Sequence, residues 1–252
     1  MKKITIIVFI LFPSIYSQNN LFKSHPYGTL GTAESLTAST STGDVDGDKD
    51  LDIIVANGRH WAQQNQIFFN DGKGFFRRSR SLGKEANTTY QIPMTDIDND
   101  GDLDLIVAND RTENQIFKND GNGNFLFDHY FGKKESNTRG LCIIDLNKDG
   151  YDDIVVANRK SQNYIYYNNS KGNFSNGQPF GNHDEATIKI ASADLNQDGY
   201  LDLVLANRNS QHNRIYYGPD YNKFLILGSD EDETRGVAIN DMNSDGILNV
   251  QD

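Results

Sequence analysis

The sequence predicts an all-β chain folded as a β-propeller of four-stranded antiparallel blades. Three observations carry that prediction. A nine-residue pattern of alternating aspartates around a glycine recurs five times, over residues 44–52, 96–104, 145–153, 194–202 and 241–249. The copies begin 47 to 52 residues apart, the length of one four-stranded blade. Each repeat holds short β-rich segments split by Gly- and Asn-rich turns, with no helical heptads. A parallel solenoid is the runner-up, but its coils are usually shorter than this repeat.

The chain opens with Met1-Lys2-Lys3, an apolar run over 4–12, then Pro13 and a small residue at Ser17. This is the pattern of a signal peptide over 1–17, cleaved near Ser17-Gln18, with the repeat domain filling 18–252. The alternative is a buried N-terminal strand. The apolar run is too short to span a bilayer as a helix, and no later segment qualifies. A secreted, periplasmic or cell-surface protein is therefore expected.

Every metal-type loop is preceded by seven residues by a threonine: Thr37, Thr89, Thr138, Thr187 and Thr234. Segments such as 138–145 and 234–241 read as a first strand running into the loop. Unbroken apolar runs follow at 53–57, 105–109, 154–158 and 203–207, each ending in Ala-Asn, and suit a second strand covered on both faces. A third strand is expected in 65–70, 114–117, 163–167 and 213–217. Turns such as Asn119-Asp-Gly-Asn-Gly-Asn124 then lead to an outer strand opening at Phe75, Phe125, Phe174 or Phe224. The terminal asparagines Asn57, Asn109, Asn158 and Asn207 read as turn caps, with a sugar-binding ring as the alternative role.

The loops carry the chemistry. Ca²⁺ takes six to eight hard oxygens, and alternate residues of a tight loop aim carboxylates at one point. The candidate ligands are Asp44, Asp46, Asp48 and Asp52; Asp96, Asp98, Asp100 and Asp104; Asp145, Asn147, Asp149 and Asp153; Asp194, Asn196, Asp198 and Asp202; and Asp241, Asn243 and Asp245. Up to five structural Ca²⁺ ions are expected. Glycine at the sixth position permits the left-handed turn. Lys49 stands there in loop one, at a cost of about 1 kcal/mol, so that site is expected to be weaker. Asn147, Asn196 and Asn243 supply amide oxygens with less charge, and Asn249 replaces the last aspartate of loop five.

These loops account for the charge. Formal net charge is −11, and without Lys2 and Lys3 there are 22 basic residues against 35 acidic ones. Bound Ca²⁺ would offset most of the excess, so the acidity does not imply a basic partner, and a nucleic-acid ligand is not expected. Cys142 is the only cysteine. A secreted chain without disulfides needs another brace, and metal supplies one.

The pattern Asp-x-Asp-x-Asp-Gly-x-x-Asp-Leu-Val-Val-Ala-Asn, followed by Asn-x-Ile-Phe-x-Asn-Asp-Gly-x-Gly-x-Phe, resembles the FG-GAP/VCBS-type, integrin-like calcium propeller repeats. The resemblance covers residues 20–252. It implies a propeller with Ca²⁺ in the hairpin between the first two strands of each blade. It does not imply one activity, because relatives include integrin α-subunit heads, fungal lectins, and accessory or catalytic domains of polysaccharide-degrading proteins.

The fifth repeat stops at Asp252, about twenty residues short of a full blade. Residues from Leu21-Phe22 to Thr37 align with an outer strand running into a first strand, the arrangement by which propellers close and lose their open edge. Either the chain is a piece of a larger propeller or it closes another way. A twelve-residue calcium loop over 241–252, of dockerin or EF-hand type, is a separate alternative.

The face opposite the metal hairpins should carry Arg59, Arg111, Arg159 with Lys160, and Arg208, alternating with Glu34, Glu85, Glu135, Asp184 with Glu185, and Glu231. Inter-blade ion pairs are the plain reading of this ring. A rim that binds carbohydrate or an acidic polymer is the functional one. In the longest of these loops, 58–64, Trp61 beside Arg59 and His60 either stacks on a sugar or covers the top of an apolar channel.

The expected function is an extracellular binding module for glycan or a protein partner. The alternatives are a polysaccharide-degrading enzyme of lyase type, using a base such as His60 or His212 with a tyrosine, and a structural spacer.

Overall fold

The computed structural model describes residues 30–32, 34–174, 176–228, 233–242 and 248–251. The signal segment, the closing segment at Leu21-Phe22, and Glu231, Asn243, Asp245 and Asp252 lie outside the described residues.

Nineteen strands and no helix make up the described chain. The first blade is β1 (Thr37–Gly43), β2 (Asp52–Asn57), β3 (Gln66–Phe69) and β4 (Arg78–Ser81), hydrogen-bonded in that order. The second is β5 (Thr89–Gln91), β6 (Met94–Thr95), β7 (Asp104–Asn109), β8 (Asn114–Lys118) and β9 (Leu126–Phe131). Its first strand is split in two by Pro93, which has no N–H to give the ladder. The third is β10 (Thr138–Ile144), β11 (Asp153–Asn158), β12 (Asn163–Tyr166) and β13 (Gln178–Phe180). The fourth is β14 (Thr187–Ala193), β15 (Asp202–Asn207), β16 (Asn213–Tyr217) and β17 (Lys223–Leu227). A hairpin of β18 (Ala238–Asn240) and β19 (Asn249–Gln251) starts the fifth repeat.

All ladders are antiparallel, and the innermost strands β1, β5, β10, β14 and β18 neighbour one another in sequence order. The second strands explain the packing. Alternate residues point to opposite faces of a strand, so Leu105 and Val107 pack with Ile54, Ile67 and Phe69 of the first blade. Ile106 and Ala108 of the same strand pack with Ile154, Val156 and Tyr164 of the third. Val155 and Ala157 repeat the arrangement against Leu203 and Leu205 of the fourth. Every residue of β7, β11 and β15 is buried, which is why these runs show no polar alternation.

Two expectations shift in detail. The outer strand opens at Arg78 and Gln178 in the first and third blades, later than Phe75 and Phe174. Those phenylalanines instead close the preceding turn: the Asp71 N–H donates to the Phe75 carbonyl at 3.1 Å, and Phe174 bridges Asn168. Each of the first strands β1, β5, β10 and β14 also has a register shift just after its threonine.

That shift accompanies a polar relay, buried in the second, third and fourth blades. The hydroxyls of Thr37, Thr89, Thr138 and Thr187 donate to Oδ1 of Asn57, Asn109, Asn158 and Asn207 at 2.9–3.0 Å. Those asparagines donate from Nδ2 to a carbonyl four to seven residues on, capping the turn as expected. Their own N–H groups donate to Oδ1 of Asn65, which immediately precedes β3, and of Asn114, Asn163 and Asn213, which open the other third strands. Nδ2 of Asn65, Asn163 and Asn213 then reaches the threonine of the next blade at 2.8–2.9 Å. The blades are thus joined by hydrogen bonds as well as by apolar packing.

Candidate functional site

Each of the first four metal-type loops links the first two strands of its blade and is closed by its own carboxylates. The first-position aspartate bonds two backbone N–H groups across the turn. Asp96 takes those of Asp100 and Gly101, Asp145 those of Asp149 and Gly150, and Asp194 those of Asp198 and Gly199. In loop one Asp44 takes those of Gly47 and Lys49. The fifth-position carboxylates of Asp48, Asp100, Asp149 and Asp198 each accept the N–H two residues on.

Lys49 has φ 74°, so it takes the left-handed turn that glycine takes in the other loops. The fourth position is left-handed too, at Gly47, Asn99, Lys148 and Gln197. Loop one therefore has its glycine two residues early.

The ninth-position aspartates Asp52, Asp104, Asp153 and Asp202 are fully buried. Each spends one oxygen on the N–H of the loop's second residue and the other on an N–H after the third strand. In the fifth repeat Asn249 accepts the matching N–H from Met242 at 3.2 Å. Burial pushes the Asp104 and Asp153 carboxyls up to about 6, against the lowering effect of those two bonds, and raises Asp52 and Asp202 in the same way.

The loops are also tied to one another. Asn119, whose N–H serves Asp104, donates from Nδ2 to the Val45 carbonyl in loop one at 2.8 Å. Asn168, whose N–H serves Asp153, does the same to the Ile97 carbonyl in loop two. Neighbouring loops are therefore linked by buried hydrogen bonds.

Among the described residues, two loops bring three carboxylates together. Oxygens of Asp44, Asp46 and Asp48 lie within 4.8 Å of one another, as do those of Asp96, Asp98 and Asp104. Within them Asp46 Oδ1 and Asp98 Oδ1 are buried without a hydrogen-bond partner. Their second oxygens are occupied, Asp46 by Arg78 and Asp98 by Lys118 at 2.9 Å. A buried, unpaired carboxylate oxygen among other carboxylates is costly on its own and is satisfied by a cation. The donor set is all oxygen, which suits Ca²⁺ or Mg²⁺ over softer metals.

Loops three and four differ. Asn147 and Asn196 accept the N–H of Asp149 and Asp198 at 3.0 Å and donate from Nδ2 to the same residues' carboxylates. There the amide serves both the N–H and the carboxylate of one residue, where loops one and two place a third carboxylate.

At the other end of the strands, the ring of alternating charge does not form as expected. Glu185 is buried, bound by Arg214, by the Tyr216 hydroxyl at 2.6 Å and by Asn163 Nδ2 at 3.2 Å. Arg208 pairs with Glu233 at 2.8 Å, holding that carboxyl below its usual range. Arg111 meets its own neighbour Asp110 at 3.5 Å, and Arg159 bonds Asn209 Oδ1 at 3.0 Å. Trp61 is 74% exposed and covers no channel.

The channel mouth is not apolar. Arg59, His60, Arg159 and Arg208 border a central depression of about 440 Å³, whereas Arg111 and Trp61 do not line it. Sequence reasoning missed three further cations there: Arg139, Lys189 and Arg235, all from the innermost chain segments. They follow the repeated threonines by one or two residues, and that offset was the available signal.

The FG-GAP-like repeat profile matches residues 44–107, 96–156 and 145–205. Among solved structures, BBS1N in complex with ARL6DN is similar at TM-score 0.54 and 12% identity, covering 78% of this chain and 59% of that one. A second BBS1N–ARL6DN structure gives 0.50 and 13%, with 71% and 54% covered. The Vibrio cholerae biofilm matrix protein Bap1 gives 0.51 and 17%, covering 86% of this chain and 34% of Bap1. This chain thus spans about a third to three-fifths of the length of these structures, and at such identities the likeness is one of fold. No curated protein matches. Blades with acidic hairpin loops and the threefold profile match lead to one conclusion: the chain belongs to the FG-GAP-like repeat family.

Proposed function

We propose that this protein is a secreted, calcium-braced propeller that acts as an extracellular binding module. The observation that carries the metal assignment is the pair of buried, unpartnered oxygens, Asp46 Oδ1 and Asp98 Oδ1, inside clusters of three carboxylates. Asp44, Asp46 and Asp48 would hold one ion, and Asp96, Asp98 and Asp104 another. The amide-containing loops 145–153 and 194–202, and the start of the fifth repeat at Asp241, are weaker candidates because they place fewer negative oxygens. A bound ion would supply charge compensation, so its binding energy becomes folding energy.

With the metal loops at one end of the blades, the opposite end is free to meet a ligand. Arg59, His60 and Trp61 stand exposed there, and Arg159 and Arg208 border the central depression. The ligand is a glycan or a surface protein. The fold likeness to BBS1N, solved in complex with ARL6DN, and to a biofilm matrix protein supports a binding role over a catalytic one.

The test is a pull-down of the mature chain on immobilised polysaccharides and on cell-surface extracts, run in Ca²⁺ and again after chelation. Calcium-dependent retention supports the reading. Release of unsaturated sugar ends would replace it with a lyase, and no retention on either matrix would leave only a spacer role.

A further inference from the structure

Resting on the binding-module reading, we propose that the central depression recognises the acidic sugar units of a carboxylated or sulfated glycan. In a chain of formal net charge −11, six cationic side chains border this one space: Arg59, Arg139, Arg159, Lys189, Arg208 and Arg235. Only two are matched by carboxylates among the described residues. Arg139 meets Asp110 at 2.7 Å, and Arg208 meets Glu233. Arg159 has only the amide oxygen of Asn209, and no carboxylate partners Arg59, Lys189 or Arg235 among the described residues. Burial lowers the Lys189 ammonium, consistent with a cation short of counter-charge.

A cleft lined by one sign of charge concentrates ions of the other sign. Guanidinium forks match the planar carboxylate and the tetrahedral sulfate through paired hydrogen bonds. The rest of the wall favours a sugar over an acidic peptide. β1 contributes a hydroxyl-bearing edge with Ser39 and Thr40, and Ala38 and Ile188 are the only aliphatic side chains in the lining. Peptide recognition draws most of its energy from apolar and aromatic anchors seated in pockets. The one aromatic in the lining, Tyr90, has its ring under the Arg139 guanidinium at 4.1 Å. Trp61, beside His60 in sequence, leaves an exposed indole for stacking outside the depression. The volume of about 440 Å³ lies within the usual range for small-ligand sites.

The experiment is calorimetric titration of the full chain in Ca²⁺ buffer with oligogalacturonate, dextran sulfate, neutral dextran and poly-glutamate. The proposal predicts binding of oligogalacturonate, dextran sulfate or both, weakened by added salt. The two arms distinguish carboxylate from sulfate as the preferred group. The double variant Arg59→Gln/Arg235→Gln should bind at least tenfold more weakly with an unchanged melting temperature. Lys189→Met is the second variant, should the first fold poorly, with the same expected loss. Unchanged affinity in a folded variant overturns the proposal, and so does neutral dextran binding as well as the charged polymers. Poly-glutamate binding as tightly as either glycan would assign an acidic peptide instead. A protein that binds neutral glycan or a surface protein but neither anionic glycan refutes this assignment while leaving the binding-module reading intact.

Discussion

Replacing Asn163 with leucine tests the inter-blade relay. Asn163 is fully buried at the start of β12. Its Oδ1 accepts the Asn158 N–H at 2.8 Å within its own blade. Its Nδ2 donates to the Thr187 hydroxyl at 2.9 Å and to Glu185 at 3.2 Å, both outside that blade's sheet. Leucine has a similar volume and none of these bonds. Each lost bond is worth about 1 kcal/mol, and the Asn158 N–H, left buried without an acceptor, adds about 1–3 kcal/mol. The total is about 4–6 kcal/mol. Glu185 keeps Arg214 and Tyr216, so its carboxylate is not stranded. For a chain of this size 1 kcal/mol moves the melting midpoint by about 2–4 °C, so a fall of about 10 °C or more is expected. The assay is thermal unfolding followed by circular dichroism in excess Ca²⁺, with Thr187→Val and the double variant completing a cycle. Because Thr187 and Asn163 share a bond, the double loss should fall short of the sum of the single losses. A midpoint within about 3 °C of the parent, or strictly additive losses, would refute the relay.

Three further expectations concern separate parts of the molecule. Lys49→Gly should raise the midpoint by about 2–4 °C, because glycine occupies the left-handed turn without the roughly 1 kcal/mol penalty; an unchanged or lower midpoint would show that Lys49, at φ 74°, carries no such penalty in loop one. Gly140→Ala should destabilise by about 1–3 kcal/mol, since a Cβ there would lie 2.8 Å from the Ile188 carbonyl on the adjacent innermost segment; neutral unfolding curves would show that the two segments move apart freely. Burial pushes the Cys142 thiol up to about 11, which leaves about one thiol in a thousand ionised at pH 8. Alkylation of the native protein should therefore be slow at pH 8, speed up as pH approaches 11, and become fast in denaturant; rapid native labelling at pH 8 would contradict a thiol held protonated in its half-buried site.

Much of this molecule was legible because its information is periodic. The aspartate spacing located the five hairpins, and the unbroken runs ending in Ala-Asn located the strands buried on both faces. What escaped was what depends on one blade meeting the next. Thr138 and Asn158 looked like a strand entry and a turn cap, yet they bond each other across twenty residues, and Asn65, Asn163 and Asn213 extend the pattern to the following blade. Arg139 and Lys189 sit on strands already identified, but whether such side chains face a channel or a neighbouring sheet depends on how the blades are arranged around the axis. The expected charge ring failed for the same reason. Glu185 is turned inward to Arg214 and Tyr216, a choice made by packing and invisible in spacing.

Bracing of the fold by metal is the central proposal. The decisive measurement is the melting midpoint of the protein with saturating Ca²⁺ and again with excess EDTA at fixed ionic strength. Each site filled at a hundred times its Kd adds about 2.7 kcal/mol, so loss of the two three-carboxylate sites should lower the midpoint by about 10 °C or more. Added Ca²⁺ should restore it and added Na⁺ should not. An identical melt in both buffers would contradict the calcium assignment and leave the aspartate loops as turns closed by their own hydrogen bonds.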